Sequence, residues 1–134
     1  MKTSELMIGD LLYLNRRPVR VDAIGFNGSI SYSEKGGFGG IGIDKLSPIP
    51  ITNEILVKNG FVRSQRWHYC TMRTSDDFRI CVQFKCGGGV DYITIMKHFN
   101  DLINRDVDVA LSIHYVHQLQ HLFRLCGIEK ELTI

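Results

Sequence analysis

Hydrophobic and polar positions alternate in short runs over the first fifty residues, and the runs are broken by turn-forming residues. Leu11–Leu14 is an apolar run that stops at the polar break Asn15-Arg-Arg-Pro18. Across Val19–Ile24, Val19, Val21 and Ala23 alternate with Arg20, Asp22 and Ile24, which is strand phasing. Asn27-Gly28 predicts a two-residue type I′ hairpin, because both central positions need positive φ. Ser29–Ser33 then pairs back, Glu34–Gly40 reads as a glycine-rich loop, and Ile41–Ile43 closes the set before Leu46. Short strands this dense predict a small SH3-like β-barrel or a strongly bent sheet over residues 1–47.

Pro48 and Pro50 make the next segment extended, since a residue preceding proline is pushed out of the α region. Thr52 or Asn53 caps a short helix whose buried side is Ile55 and Leu56, and Gly60 ends it. From Phe61 the strand pattern returns. Arg63–Met72 and Phe78–Lys85 are joined by Thr74-Ser-Asp-Asp77, where Asp76-Asp77 reads as turn chemistry. Tyr92–His98 follows the three glycines at 87–89, and Val107–Ile113 alternates strictly, as a half-buried antiparallel strand does. The chain closes with a helix. At 100° per residue, Val116, Leu119, Leu122, Phe123 and Cys126 form one stripe, and Gly127 is the expected C′ residue. This helix is expected to lie across the second sheet. The whole predicts one compact α+β domain, 1–134, with subdomains 1–47 and 51–134.

Composition bounds the function without naming it. At 134 residues, 44% hydrophobic and 22% charged, the chain is the size of one ordinary domain and far from a disordered composition. The net charge of +2 is unevenly spread: residues 51–90 carry six basic and three acidic side chains, residues 91–134 four and six. A segment at +3 is well short of a nucleic-acid footprint. Cys70, Cys81, Cys86 and Cys126 show no C-x-x-C and no regular spacing, so free thiols are expected. The opening Met-Lys-Thr-Ser-Glu-Leu has no signal-peptide pattern, and no apolar run reaches the ~20 residues that span a bilayer. The expectation is a cytoplasmic protein without membrane partners.

Several residues invite chemistry. His117 and His121 are one helical turn apart, a metal-pair spacing, with His114 near their face. No third ligand or H-E-x-x-H glutamate accompanies them, so no metal or other cofactor is expected. Instead His114, His117 and His121 are read as a solvent-facing polar stripe with His117 bonded to nearby backbone. His117, Gln118 and Gln120 are read as sharing a structural or partner-contact task, and His121 as a further candidate contact. The glycines of 36–42 do not sit between a strand and a helix, and no G-K-[ST] follows. Phe38, in that loop, is read as an aromatic tucked onto the barrel or held out for contact. Arg63, Arg66, Trp67, His68 and Tyr69 form a basic–aromatic strand with Arg73 and Arg79 nearby, as single-strand binders combine arginines and stacking aromatics. His68 and Cys70 share a strand face, but no cysteine-hydrolase signature surrounds them, and no enzymatic activity is expected.

Ile8-Gly9-Asp10, Leu46-Ser-Pro-Ile-Pro-Ile-Thr52, Ile55-Leu56, Gly60-Phe61 and Tyr115-Val-His-Gln-Leu-Gln120 together carry a further signal. In them the chain resembles a family of short proteins from phages, prophages and mobile elements of Bacteroidales-type bacteria. That family shares an IGD/N opening, a PIPLT-x-E-x-L…GF centre and a YVHQLQNLY ending. Of the three histidines only His117 matches the shared motif. The resemblance spans about half the positions and fades through 62–105. It brings no biochemical activity. What it implies is a phage or mobile-element binding module acting in the bacterial host cell through a protein partner. The alternative is a nucleic-acid binder using the basic–aromatic strand at 63–79.

Overall fold

The computed structural model describes residues 1–66, 68–73, 78–97 and 109–134. In chain order the strands are β1 (Leu11–Leu14), β2 (Arg17–Ile24), β3 (Ser29–Glu34), β4 (Gly37–Gly42) and β5 (Leu46–Pro48). Helix α1 (Asn53–Lys58) precedes β6 (Val62–Arg63), β7 (Tyr69–Arg73), β8 (Phe78–Phe84), β9 (Val90–Lys97) and β10 (Val109–Leu111), and α2 (Val116–Leu125) comes last. The fold is α+β, with two antiparallel five-stranded sheets. The chain divides into two compact units, one of Met1–Pro50 with Tyr115–Lys130, the other of Ile51–His114 with Glu131–Ile134.

The first unit is an open sheet in the order β4-β3-β2-β1-β5, so the expected barrel does not close. Its turns differ from expectation in an instructive way. The two-residue turn with positive φ at both centres is Asn15-Arg16 (φ 50° and 65°), not Asn27-Gly28. At the latter, Gly28 N–H donates to Gly25 O and Gly25 N–H to Ser29 O. Only Gly28 has positive φ there (78°), giving a three-residue loop, Phe26-Asn27-Gly28, with a glycine bulge. A second bulge between Val21 and Ala23 shifts the register of β2. Val19 and Val21 are therefore buried as their phase predicts, while Ala23 is exposed. The core is Leu6, Leu12, Leu14, Val19, Val21, Ile30 and Leu46, with Tyr32, Ile41 and Ile43 packed against it.

Helix α2 belongs to this unit, which corrects the expectation that it covers the second sheet. The expected stripe is buried at Val116, Leu119, Leu122 and Phe123, but His117 and Gln120 are buried as well, so the buried face is wider than an apolar reading allows. The helix stops as predicted. Gly127 has φ +68°, Gly127 N–H donates to Arg124 O, and Ile128 N–H donates to Phe123 O, the paired bonds of a Schellman motif.

The second unit begins with α1, where the Thr52 hydroxyl accepts from Ile55 N–H and Leu56 is buried. It too ends in a Schellman motif, with Gly60 N–H on Val57 O and Phe61 N–H on Leu56 O. The buried Asn59 side chain then ties α1 to the C-terminal segment. It donates to Ile55 O and Thr133 O, and accepts from Thr133 N–H. The sheet runs β10-β9-β8-β7-β6. Cys70, Val82 and Ile93 form one buried cross-strand row, with Met72 and Ile80 in the next. The run read as one strand from Arg63 to Met72 is a hairpin: β6 ends at Arg63, β7 starts at Tyr69, and Arg66 lies in the connection. Of the strand expected at 107–113 only Val109–Leu111 is formed, and Val107 and Asp108 lie outside the described residues.

Candidate functional site

Three places concentrate unusual chemistry. The first, in the first unit, is a buried carboxylate. Asp10 is 0% exposed. Met7 N–H donates to Asp10 Oδ2 at 2.8 Å, and His121 Nε2–H points at both carboxylate oxygens, 2.9 and 2.8 Å away. Arg124 Nη1 donates to Oδ1 at 3.1 Å. Next to it, Leu11 N–H donates to Gln120 Oε1 at 2.9 Å, and Gln120 Nε2 donates to Gly9 O at 3.1 Å. Residues 120, 121 and 124 share one helix face, so one side of α2 is stitched to the entry of β1. Asp10 is thus paired and fully hydrogen-bonded, as a buried charge must be.

His117 is 3% exposed and its Nδ1 has no hydrogen-bond partner. Its ring stacks on Tyr115 at 6.0 Å and meets the His121 ring edge-on at 5.8 Å. Burial is the main influence on its imidazole and pulls its pKa below the ordinary value, with His121 acting the same way and Asp10 opposing. These positions correct the expected solvent-facing stripe. His117 is buried and closed to a partner, His121 is committed to Asp10, and Gln118 Oε1 accepts from Tyr115 N–H at the helix start. His114 is elsewhere, with Nδ1 on Val90 O and Nε2 on the Ser112 hydroxyl. Among the described residues no group of three His, Cys, Asp or Glu side chains is placed to hold a metal ion.

The second place is the edge strand β4, Gly37-Phe-Gly-Gly-Ile-Gly42. It is a strand where a loop was expected. Ile43 N–H donates to Gly28 O and the register pairs Ser29 with Gly42. Antiparallel alternation then turns the amides of Ile41, Gly39 and Gly37 toward β3 and those of Phe38, Gly40 and Gly42 outward. Ile41 packs on the core while Phe38, on the other face, is 90% exposed. Tyr32 lies over Gly39, where a Cβ would come within 2.8 Å of the phenol oxygen. Two of the other sheet edges are blunted: β5 contains Pro48, and β6 is two residues long and ends in Arg63. Among the described strands, only β4 offers a long edge free of charge and proline.

No protein family, curated protein or solved structure matches the chain. The chemistry of the sites therefore stands on geometry.

The third place is in the second unit. Arg63, Ser64, Gln65, Arg66 and His68 line a cleft of about 430 Å³, and Ser64 N–H donates to Tyr69 O to close the loop. Trp67 lies outside the described residues. Tyr69 is half-buried on β7. The Cys70 thiol is buried and donates to Asn53 Oδ1 at 3.2 Å, and desolvation pushes its pKa up, which disfavours the thiolate. His68, expected beside Cys70, is exposed and shares a cleft with Cys86 and Glu54 instead.

Sequence reasoning missed Asp10, Arg124 and Asn59. Asp10 and Arg124 are 114 positions apart, and no local pattern links them.

Proposed function

We propose that this protein is a non-enzymatic binding module that acts by protein–protein contact, taking an extended strand of its partner onto β4. The observation that carries this reading is the unguarded edge itself. A six-residue strand presents the outward amides and carbonyls of Phe38, Gly40 and Gly42, while the β5 edge is closed by proline and the β6 edge is short and charged. Main-chain bonding to an added strand supplies affinity, and Phe38 supplies a side-chain contact on one face. Four glycines leave the flank of the strand low, so a partner backbone approaches without side-chain obstruction. The resemblance to phage and mobile-element proteins supports a host protein as the partner and a host-interaction task.

Affinity capture from host lysate with nuclease present, followed by hydrogen exchange on the recovered complex, tests this reading. The expected result is slowed exchange at the Phe38, Gly40 and Gly42 amides. Gly40→Pro, which removes one outward N–H at a site whose added Cβ meets nothing closer than 4.0 Å, abolishes capture. A partner that binds Gly40→Pro as well as the parent, or that protects other amides only, overturns it.

A further inference from the structure

We propose that the outer face of the second sheet binds single-stranded nucleic acid, stacking bases on Tyr69 and Tyr92 and holding the backbone with Arg73, Arg79 and Arg66. This is independent of strand addition at β4, which belongs to the other unit.

The register defines the face. Tyr69 lies opposite Gln83, which lies opposite Tyr92; Thr71, Cys81 and Thr94 form the next row; and Arg73 lies opposite Arg79 in the third. Alternation puts the buried Cys70–Val82–Ile93 row on the other side. From strand spacing the two tyrosines stand about 9.5 Å apart, and Arg73 is about 13 Å along β7 from Tyr69. Tyr92 is 41% exposed and Arg73 is exposed. Two aromatic platforms and a pair of guanidinium groups thus share one open surface.

Charge selects the ligand. Arg73 and Arg79 face each other directly, and like charges so placed destabilise a sheet. Asp76 and Asp77, in the connection between them, lie outside the described residues. Among the described residues of strands β6, β7, β8 and β9, the only acid is Asp91, next to Tyr92 at the bulge and so at the opposite end of the face from Arg73 and Arg79. At the Tyr69 end, Ser64 N–H donates to Tyr69 O and Arg66 lines the cleft there, while Arg63, opposite Cys70 in the register, belongs to the other face. Cationic groups therefore lie beside Tyr69 and again two rows along the strands, so that a backbone can be tracked past the aromatic row while bases stack on it. Stacking on a sheet face needs unstacked bases, which single strands provide and duplexes do not.

The test is fluorescence anisotropy of the full chain with labelled single-stranded RNA and DNA, a duplex, and polyglutamate as competitor. If about three phosphates are neutralised, one by each arginine, single-strand affinity falls about 18-fold between ~50 mM and ~200 mM salt. Arg73→Ala with Arg79→Ala reduces that fall to about 3-fold, and Arg73→Lys with Arg79→Lys restores it. Tyr92→Ala weakens binding by about 5- to 150-fold with the salt slope unchanged. Four outcomes overturn the proposal: no binding at the lower salt, a duplex bound as tightly as a single strand, an unaltered slope in the alanine pair, or polyglutamate competing as well as oligonucleotide. The last would mark the face as a site for an acidic protein segment. Loss of fold in the alanine pair, read by circular dichroism, transfers the decision to Tyr92→Ala.

Discussion

Replacing Asp10 by alanine tests the claim that α2 is anchored to the first sheet through one buried carboxylate. The side chain accepts from Met7 N–H, from His121 and from Arg124, and water does not reach it. Hydrogen bonds to a charged group contribute about 1.5–3 kcal/mol each, and breaking a buried ion pair costs about 3–5 kcal/mol. Those figures need discounting here, because the His121 and Arg124 side chains are 22% and 36% exposed and recover water once Asp10 is gone. The expected loss is about 3 kcal/mol, a drop of roughly 10 °C in Tm for a domain of this size. Arg124→Met removes one exposed donor and leaves Asp10 bonded to His121, so it costs about 1 kcal/mol. In the double variant the effects are less than additive, since the Arg124 substitution has nothing left to break. Urea denaturation of the four proteins measures all of this. A loss below about 1 kcal/mol for Asp10→Ala, or full additivity with Arg124→Met, would refute the anchor.

Two further outcomes follow from local features. Burial lowers the His117 pKa, so the unfolded chain, titrating near 6.5, binds the proton first as pH falls. The sign is then fixed: stability is full above that pH and declines below it, by up to ~1.4 kcal/mol per pH unit. Because Asp10, His121, Glu5 and the N-terminal amine also act on His117, the comparison is with His117→Phe, which should flatten the decline; identical pH profiles would refute the assignment. Arg16 holds φ 65° in its turn, where an L side chain is strained by about 1–2 kcal/mol. Arg16→Gly relieves this at some entropic cost, raising stability by about 0.5–1 kcal/mol in thermal melts, and a loss would show the turn to be unstrained.

Local rules made much of the fold legible. Thr52 and Gly60 bounded α1, Gly127 bounded α2, and short runs between turn residues marked strands at Leu11–Leu14, Ser29–Ser33 and Phe78–Lys85, because caps and turns act over a few residues. What escaped was set by distant contacts. The apolar stripe of α2 was right, but the choice of sheet depended on Asp10 and Gly9, more than a hundred positions away. His117 and Gln120 looked like surface residues because their types are usually solvated, yet Gln120 finds two backbone partners and is buried on them. The basic–aromatic run looked like one strand because the turn at 64–68 has neither glycine nor proline to mark it. Its consequence is that Arg63 lies opposite Cys70, on the face away from Tyr69, and that the second aromatic of that face is Tyr92, two strands away.

Natural sequences agree with their folds at nearly every level, and departures concentrate at sites under another demand. Four departures stand out in the described residues. The buried Asp10 and the unpartnered Nδ1 of His117 both lie on the face that fixes α2 to the sheet, so the packing of the unit accounts for them. The charge-free edge of β4 and the facing pair Arg73–Arg79 have no such internal account. An open glycine-rich edge contributes nothing to its own sheet and exposes the chain to unwanted pairing. Two opposed guanidinium groups on an outer face weaken the ladder they sit on. An added strand would complete the first arrangement and a bound anion the second. That asymmetry is why binding is sought at β4 and on the outer face of the second sheet rather than at the histidines of α2, whose hydrogen bonds and packing are already spent inside the protein.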